Sequence, residues 1–444
     1  MARQKRFEPR LAVSGAACGL AVHVDGDPEM AQAMESGHHE GPAAIRAGAF
    51  SGGRLRVRPS ERTESASMIT YVAEWTKAKD RVFAAMGNAL GGARRLPFIG
   101  LSLRDFPESA DQARAALTAA KKQPKGRLAR FLKFQLIRMQ YNWSRRHFRR
   151  HPDRIAVCWN GITGSRSAFM QGARDAGARH LYVELAPFPG RVTIDPKGIN
   201  ALNSVPRDPA FFTRWAAGAP ARQGSGWRRL GQKLSARASR RGDVAQGGAD
   251  ALASQGKFLF CPLQVPDDSQ IRLFSGWVGS VPGMLDILAD AAGALPDDWH
   301  IRVKEHPSAR VRLGGAVDAA VNRAGGRLVI DNETDTFAQV AGSGGVVTIN
   351  SSVGLQAFFH DRPVIVLGEA FYALPGLVHL ADGPGALHRL LATPEALTFD
   401  PALRAAFMNY LDQVYYPRLE IAADGSARLD PAAVLAKLTV ESPL

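Results

Sequence analysis

Residues 299–307, WHIRVKEHP, place an apolar run directly before a histidine and a proline. Proline cannot donate a ladder hydrogen bond, so this pattern predicts a β-strand that ends before Pro307. Lys304 and His306 would then lie at the carboxyl end of a strand, the edge where open α/β sheets bind ligands. The stretch therefore predicts an α/β fold with part of a ligand site at this strand end.

A second strand end carries hydroxyl and amide groups. Residues 345–357, GVVTINSSVGLQA, indicate a strand, a polar turn at Asn350, Ser351 and Ser352, and the start of a helix. Unpaired backbone amides and the helix dipole both favour an anion at such a turn. Each motif alone also fits an ordinary turn or helix cap. Together, segments 304–307 and 350–352 predict a clamp for a nucleotide phosphate.

Length and charge narrow the class of protein. The chain has 444 residues, of which 45% are hydrophobic, and this suits two or three domains with sizeable cores. A net charge of +15 predicts anionic partners such as nucleotide sugars or an anionic lipid surface. No motif interleaves basic and aromatic residues in the manner of nucleic-acid binding proteins, so we expect no nucleic-acid partner.

Cysteine usage and hydropathy predict a cytoplasmic protein. Cys18, Cys158 and Cys261 are widely spaced, which suits neither a disulfide framework nor a zinc site and indicates a reducing compartment. No apolar stretch reaches transmembrane length. Residues 3–24 imitate a signal peptide, but their apolar part lacks a leucine-rich core and a good cleavage site.

Composition divides the chain into four segments. Residues 1–67 show no sustained helix or strand period, so we expect a disordered extension. We then predict a first α/β domain at 68–250, ending in a Gly-, Arg- and Ser-rich linker at 216–255, and a second at 251–384. Residues 385–444 read as helices that return to the first domain. The basic, aromatic-rich helix at 125–150 fits either a solvated face or docking on an anionic membrane.

Two series of alternating strands and helices predict two Rossmann-like domains. In the first domain, strands at 154–159 and 180–184 flank a glycine turn and a helix, which puts Asn160 and Glu184 at the ligand edge. A helix at 71–89 and a strand at 96–101 precede them, and we expect the Gly- and Pro-containing stretch at 186–203 to be a loop. In the second domain we expect a sheet of about five strands, at 257–263, 299–303, 327–330, 345–349 and 363–367. Two such domains facing a cleft form the GT-B layout of nucleotide-sugar transferases.

Four motifs in this order resemble one family. They are VELAPFPGRVTIDPKGINALN (183–203), PLQVPDDSQI (262–271), KEHP (304–307) and TINSSVGLQAFFHDRPVIVLGEAFYALPGL (348–377). The sequence is similar, from about Trp159 to Leu377, to capsule polysaccharide biosynthesis proteins of the KpsC/KpsS/LpsZ type. This resemblance implies a GT-B glycosyltransferase that moves Kdo (3-deoxy-manno-octulosonic acid) from CMP-Kdo to a lipid-linked glycan, on the cytoplasmic side of the inner membrane and within a capsule assembly complex.

The sequence is also compatible with other functions. The same layout serves transferases of CMP-sialate or of UDP-sugars and 2-epimerase-like hydrolases, and a non-catalytic component of capsule assembly could keep the fold. CMP carries a single phosphate, so Lys304, His306 and the 350–352 turn would neutralise the leaving group as charge builds on it. The sequence holds neither a P-loop nor a carboxylate cage, and we expect no metal or other cofactor.

Glycosyl transfer also needs a carboxylate near the anomeric carbon, as nucleophile in a retaining mechanism or as base in an inverting one. Asp268 is our first candidate and Asp267 our second, although both also fit a turn or a helix cap. Glu184 would be the carboxylate of the opposite domain. We expect Gln264, Gln270 and Asn160 to contact substrate and Glu369 to contact the nucleoside.

Overall fold

The computed structural model describes residues 68–248, 256–310 and 312–439. The expected disordered extension, 1–67, lies outside the described residues. Within them the chain forms two α/β units, each built on a largely parallel sheet, and the loops at the carboxyl ends of the two sheets meet in a cleft. The predicted GT-B class with two Rossmann-like units is confirmed.

The first sheet has five strands in the order β2-β1-β3-β4-β5. They are β1 (Ile69–Val72), β2 (Ala93–Leu96), β3 (Ile155–Trp159), β4 (His180–Leu185) and β5 (Val192–Asp195), and only the β4–β5 pairing is antiparallel. The helices of this unit are α1 (Lys77–Leu90), α2 (Ser109–Ala119), α3 (Arg127–Arg150) and α4 (Gly164–Arg174). The chain continues from β1 to β2 on one side and from β3 to β4 on the other, so the strand order reverses between the parallel neighbours β1 and β3.

Three predictions for the first unit were wrong. Residues 69–72 form a strand rather than the start of a helix, because Ile-Thr-Tyr-Val is buried on both faces and too short to show a period. The strand expected at 96–101 lies earlier, as β2, an edge strand whose Arg94 and Arg95 hide it from a search for apolar runs. Strand β5 lies within 186–203, where the Gly and Pro residues indicated a loop.

The segment predicted as a linker packs against the second unit over much of its described length. It follows α5 (Pro209–Ala217) and includes α6 (Arg228–Gly231). Beyond α6, the Arg240 amide donates to the carbonyl of Pro307 at 2.9 Å, and the Gly247 amide donates to the carbonyl of Glu333 at 2.7 Å. Residues 240–247 therefore cover the strand end that carries the His-Pro motif.

The second sheet is parallel throughout, with six strands in the order β11-β10-β9-β6-β7-β8. They are β6 (Lys257–Pro262), β7 (Trp299–Lys304), β8 (Leu328–Ile330), β9 (Gly345–Thr348), β10 (Val364–Val366) and β11 (His379–Leu380). The five predicted strands are present, and β11 is the sixth. The helices between them are α7 (Ser269–Phe274), α8 (Val281–Ala291), α9 (Gly314–Arg323), α10 (Thr336–Gly342) and α11 (Ser352–Gln356).

The C-terminal segment returns to the first unit. It contains α12 (Pro384–Ala392), α13 (Pro401–Tyr410), the hairpin of β12 (Glu420–Ile421) and β13 (Ala427–Arg428), and α14 (Pro431–Leu435). Ala427 and Val434 join the apolar core under the first sheet. The Tyr415 hydroxyl donates to Asp195 at 2.7 Å and Arg191 pairs with Asp412, so this crossover ties the two units together.

None of the described helices is both long and apolar enough to cross a bilayer.

Candidate active site

The cleft between the units is narrow and lined mainly from the second unit. Gln270, Asn350, Ser352 and Glu369, four residues predicted from the sequence, line it together with Tyr372. Pro187, Asn200 and Ala201 form the opposite wall, on loops that follow β4 and β5 of the first unit. The structure therefore brings the carboxyl ends of β9 and β10 and helix α7 against the first unit at one place.

Asn350 holds this wall in position. Its amide nitrogen Nδ2 donates to the carbonyls of Gln270 and Phe274, at 3.2 and 3.0 Å. Its Oδ1 accepts a hydrogen bond of 2.8 Å from Gln264 Nε2. The side chain is 8% exposed, and these bonds use its polar atoms. Asn350 and Gln264 therefore join the carboxyl ends of β9 and β6, and their contribution to ligand binding is to fix the loops that carry other groups.

The two serines of the 351–352 turn have different roles: Ser351 caps a helix, and Ser352 lines the cleft. Ser351 Oγ caps helix α11 by accepting from the Val353 amide at 3.2 Å. Its own amide donates to Thr348 Oγ1 at 3.1 Å, and its carbonyl accepts from the Tyr372 hydroxyl. Ser352 is half-buried and lines the cleft. Of the two serines, Ser352 is the better placed to contact a phosphate.

Gln270 lines the cleft and carries an unused donor. Its side chain is 8% exposed, and its buried Nε2 has no hydrogen-bond partner among the described residues. A buried donor without a partner costs about 1–3 kcal/mol, and native proteins rarely leave one unless a ligand or water completes it. Gln270 Nε2 is therefore an unsatisfied donor in a residue that lines the cleft.

Lys304 does not reach the cleft. Its ammonium donates to the carbonyls of Ala245 and Thr334, each at 2.7 Å, and of Asn332 at 3.0 Å. Only 2% of the residue is exposed, and burial lowers the pKa of its ammonium. The predicted phosphate contact by Lys304 is therefore corrected: this lysine fastens residue 245 and the 332–334 turn to the end of β7.

Glu305 and Pro307 also hold residues 240–247 against the end of β7. Glu305 is buried and pairs with Arg241, with 2.7 Å between Oε2 and the nearest guanidinium nitrogen, and it also accepts from the Leu313 amide. Pro307 is buried, and its carbonyl accepts from the Arg240 amide. Pro307 ends the strand as predicted, and the contacts it makes are within the protein.

His306 is neutral in this environment. Burial and the nearby cations Arg237 and Arg240 lower the pKa of its imidazole to about 3. Its Nδ1 accepts from the Ser308 amide at 3.0 Å, so the hydrogen of the neutral ring is on Nε2. His306 can therefore donate one hydrogen bond to a ligand, but in the unliganded protein it does not supply the positive charge that the sequence suggested.

The predicted nucleophile, Asp268, caps helix α7. Its side chain is half-buried and accepts from the Gln270 amide at 2.8 Å. Asp267 is exposed and lies 3.7 Å from the ammonium of Lys121 in the first unit. Both carboxylates are therefore at the junction of the units. They directly precede helix α7, which contributes Gln270 to the lining of the cleft. The capping alternative holds for Asp268, and it leaves the second carboxylate oxygen available.

Glu184 of the first unit is held by Asn200, a residue of the cleft wall. The half-buried carboxylate accepts from Asn200 Nδ2 at 3.1 Å, and Asn200 lines the cleft. The backbone at Asn160, after β3, is left-handed with φ of 63°, and its amide donates to the carbonyl of Val183. Asn160 and Glu184 thus lie on neighbouring strand ends at the ligand edge, as predicted.

Sequence reasoning missed Glu74, which follows β1. Tyr71 pairs with Val157, so counting onward along the parallel strands places Glu74 on the same row as Asn160 and Glu184. Glu74 is 3% exposed and contacts Arg166, at 2.6 Å, and Lys79 at 3.5 Å. Burial raises the pKa of its carboxyl, and both cations oppose that shift. Recognising ITYV as a strand would have shown this carboxylate at a strand end.

The switch in strand order falls beside Glu74, between the parallel strands β1 and β3. Ligands of open α/β sheets bind at such switch points. Trp75, next in the chain, has a left-handed backbone with φ of 57° although its side chain is bulky, and 56% of it is exposed. Backbone strain of this kind collects at functional sites, so we count Glu74 among the candidate carboxylates.

Among the described residues, no group of three or more His, Cys, Asp and Glu side chains could hold a metal ion.

Comparisons with known proteins identify relatives of this chain. The profile of the family described as capsule polysaccharide biosynthesis protein matches residues 223–411. Protein FixF of Sinorhizobium fredii is 31% identical over 343 residues, which are 76% of this chain and 74% of FixF. Capsule polysaccharide modification protein LipB of Neisseria meningitidis is 34% identical over 131 residues, 28% of this chain and 30% of LipB.

Among solved structures, a Thermosulfurimonas dismutans KpsC, a beta Kdo 2,7 transferase, is similar with a TM-score of 0.45 and 14% identity, over 84% of this chain and 98% of that one. The extent of the match to FixF, together with the profile match across the cleft-lining part of the second unit, confirms the resemblance found in the motifs. The chain belongs to the family of capsule polysaccharide biosynthesis proteins.

Proposed function

We propose that this protein is a glycosyltransferase that moves Kdo from CMP-Kdo to a lipid-linked glycan acceptor in the synthesis of a capsule or related surface polysaccharide. The observation that carries the proposal is the cleft between the two units. It is lined on one side by Gln270, whose donor is unpartnered, and Ser352, and on the other by Asn200, the partner of Glu184. The donor and acceptor come from the resemblance of the motifs to the family. We place the protein on the cytoplasmic side of the inner membrane, with other capsule assembly proteins as partners.

The nucleotide would bind to the second unit. CMP-Kdo carries one phosphate and one sugar carboxylate, both of which need donors rather than a diphosphate cradle. Ser352 and Gln270, which line the cleft, and His306, which follows β7, carry neutral donors for these oxygens. Donors aimed at the leaving phosphate stabilise the charge that develops on it as the bond to the anomeric carbon breaks. Glu369, exposed at the rim, is the candidate contact for the ribose or cytosine.

The acceptor would approach from the first unit. In the reaction, an acceptor hydroxyl oxygen forms a bond to the anomeric carbon, the bond from that carbon to the phosphate oxygen breaks, and CMP leaves. In an inverting reaction, a carboxylate such as Glu184 or Glu74 takes the hydroxyl proton. In a retaining reaction, Asp268 or Asp267 would first attack the anomeric carbon and then be displaced by the acceptor. The candidate carboxylates allow both routes.

The test is a donor screen with the purified full chain. CMP-Kdo, CMP-sialate and UDP-sugars are incubated with a glycolipid acceptor, and nucleotide release and product mass are measured. We expect CMP release and Kdo transfer from CMP-Kdo alone. Transfer from another donor would replace the proposed substrate, and turnover of none of them would favour a non-catalytic role in capsule assembly.

A variant of the unpartnered donor connects the screen to the cleft. Gln270→Leu removes Nε2 while keeping the backbone groups that Asp268 and Asn350 contact. A hydrogen bond to a charged group contributes about 1.5–3 kcal/mol, so donor affinity should fall about ten- to a hundredfold. Stability should not fall, because the wild-type donor is buried without a partner. Unchanged donor affinity would remove Gln270 from the site.

A further inference from the structure

Helix α3 has two apolar faces, only one of which is covered by the rest of the described chain. Ile137, Tyr141 and Phe148 are fully buried, and the first two of these pack with α2 and α4. On the other side of its first half, Leu128, Phe131, Leu132 and Leu136 have 71%, 55%, 58% and 40% of their surface exposed. Their spacing of three, four and eight residues from Leu128 puts them on a single face.

The loop between β2 and α2 continues this exposed face. The Ser102 amide donates to the carbonyl of Met139 at 3.0 Å, and Asn142 Nδ2 donates to the Ser102 carbonyl. Met139 and Asn142 lie eleven and fourteen residues after Leu128, hence on the same side of the helix. The loop therefore covers the second half of the face, and it presents its own apolar side chains there: Phe98, Leu101 and Leu103 are 75%, 55% and 86% exposed.

Basic residues dominate the charge of this region, where Asp105 and Glu108 are paired with Arg138 and Arg145 of α3. Residues 112–152 contain twelve lysine and arginine residues and neither aspartate nor glutamate. Lys125, Arg127 and Arg130 are exposed at the start of α3, next to the uncovered apolar side chains. We define the docking face as the exposed side of residues 125–136 together with loop 98–103.

An apolar strip bordered mainly by cations, with Asp105 paired to Arg138 at its edge, matches an anionic bilayer surface. Leu and Phe side chains would enter the boundary between headgroups and acyl chains, and the basic groups would contact lipid phosphates. A second copy of this chain would bring the same positive charge and be repelled, and a neutral apolar protein groove would leave the cations unpaired. We propose that the docking face holds the protein flat on an anionic membrane surface.

The docking face adjoins the cleft. Arg272 in α7 donates to the carbonyls of Thr118 and Lys121, which precede α3, and Asp267 lies near the Lys121 ammonium. Helix α7 also carries Gln270 into the cleft. A membrane under the docking face would therefore hold a lipid-linked acceptor close to the junction of the two units. That last step rests on the proposed function, whereas lipid binding by itself does not.

Lipid binding can be measured without any transfer reaction. The full chain is sedimented with vesicles of phosphatidylcholine alone and of phosphatidylcholine mixed with phosphatidylglycerol. We expect binding to the anionic vesicles that weakens as salt is added. The charge variant replaces Lys125, Arg127 and Arg130 with Gln, and the apolar variant combines Phe131→Ser with Leu132→Ser. Matched controls are Arg229, Arg389 and Arg428 to Gln, and Leu380→Ser with Leu435→Ser, which alter exposed residues elsewhere.

Each basic residue near an anionic surface contributes a factor of about five, so the charge variant should bind on the order of 100-fold more weakly. The apolar variant should also bind more weakly, and both controls should bind as the wild type does. Absence of binding to anionic vesicles, or equal binding by the surface variants and the wild type, would overturn the proposal. So would a wild type that ignores vesicles but forms oligomers that the apolar variant dissociates, since the face would then be a protein interface.

The surface variants also separate this proposal from the proposed function. Neither variant alters a residue of the cleft, so both should retain CMP release with a short acceptor that has no lipid. Lost vesicle binding with retained CMP release supports the docking face. A wild type that binds vesicles but turns over no donor would leave the docking face in place and remove the transferase.

Discussion

Gln264 and Asn350 are joined by two hydrogen bonds, of 2.8 Å from Gln264 Nε2 to Asn350 Oδ1 and of 3.2 Å from the Asn350 amide to Gln264 Oε1. The pair links the carboxyl ends of β6 and β9, which are neighbours in the second sheet. A reciprocal amide pair of this kind fixes the relative position of two loops without a charge. The wall of the cleft is thus held in place before any ligand binds.

Asn350→Ala should lower the free energy of unfolding by about 3 kcal/mol, because it removes three side-chain hydrogen bonds, to the carbonyls of Gln270 and Phe274 and from Gln264. Gln264→Leu should cost about 1 kcal/mol, since Asn350 keeps its bonds to those two carbonyls. Urea unfolding measures both. The exposed Asn322→Ala serves as control and should change stability by less than about 0.5 kcal/mol. Equal effects of Asn350→Ala and the control would mean that the pair is not structural.

Gly354 is required by the close approach of Tyr372. A Cβ at position 354 would lie 2.4 Å from the Tyr372 hydroxyl, which donates to the Ser351 carbonyl. Gly354→Ala should therefore destabilise the protein by about 1–3 kcal/mol and displace the 351–352 turn. Adding Tyr372→Phe removes the clashing oxygen, so the double variant should be more stable than the sum of the single effects predicts. Strict additivity in thermal or urea unfolding would contradict a direct clash.

The imidazole of His306 should make the fold sensitive to acid. Its folded pKa of about 3 is below the ordinary 6.5, so the unfolded chain takes up a proton first as the pH falls. The stability present above pH 6.5 is therefore lost between pH 6.5 and 3, by about 2 kcal/mol at pH 5. His306→Gln should lose about that much less stability than the wild type between pH 8 and pH 5. The exposed His388→Gln is the control, and identical pH profiles for wild type and His306→Gln would refute the buried neutral ring.

The strand ends of the second sheet could be predicted because local signals fix them. Pro307 stops β7, and the 350–352 turn separates β9 from a helix, so both motifs were found at the correct edge. The role of Lys304 could not be predicted in this way. Its three acceptors are carbonyls at 245, 332 and 334, and only the packing of a Gly- and Arg-rich segment over β7 brings them there. The identity of a residue at a strand end does not show whether its side chain contacts a ligand or another segment of the protein.

The first unit was harder to predict because its strands are short or lie on an edge. Glu74 was overlooked together with β1, a run of four buried residues that no period distinguishes from a helix. The antiparallel β5 is enclosed by Gly190 and Pro196, which indicate loops. Glu184 was found because β4 is longer and its strand–helix–strand context is regular. Glu74 lies level with Glu184 because β1 pairs with β3, a strand far from it in sequence, and β3 pairs with β4.

Glu74→Gln separates a structural ion pair from an acceptor-side carboxylate. Burial raises the pKa of this carboxyl. The ionised form therefore costs stability once the pH rises above the ordinary pKa of a glutamate. Replacement by Gln should leave the free energy of unfolding at pH 7 nearly unchanged. If Glu74 or Glu184 accepts the acceptor proton, the corresponding Gln variant should lose transfer by about 10²–10⁴-fold while donor affinity stays normal. Arg166→Gln is the companion variant: equal, small effects of Glu74→Gln and Arg166→Gln on transfer would assign Glu74 to packing alone.

Asp268→Asn tests the candidate nucleophile with little disturbance of the fold. Asparagine caps helices about as well as aspartate, so the bond to the Gln270 amide and the stability of α7 should persist. Asp335→Asn, in the equivalent capping position of α10, is the matched control and should keep full activity. If Asp268 attacks the anomeric carbon, Asp268→Asn should bind donor normally and lose transfer by several orders of magnitude, since removing a covalent catalyst costs far more than removing a contact.

Calorimetric donor affinity and initial rates of CMP release measure the two quantities separately for Asp268→Asn. An inactive Asp267→Asn beside an active Asp268→Asn would move the role to the exposed carboxylate that faces Lys121. Activity in both, with Glu184→Gln or Glu74→Gln inactive, would leave the acceptor-side carboxylate as the base and indicate an inverting reaction. The stereochemistry of the product then provides an independent check, because retention at the anomeric carbon would require a nucleophile that neither aspartate supplies.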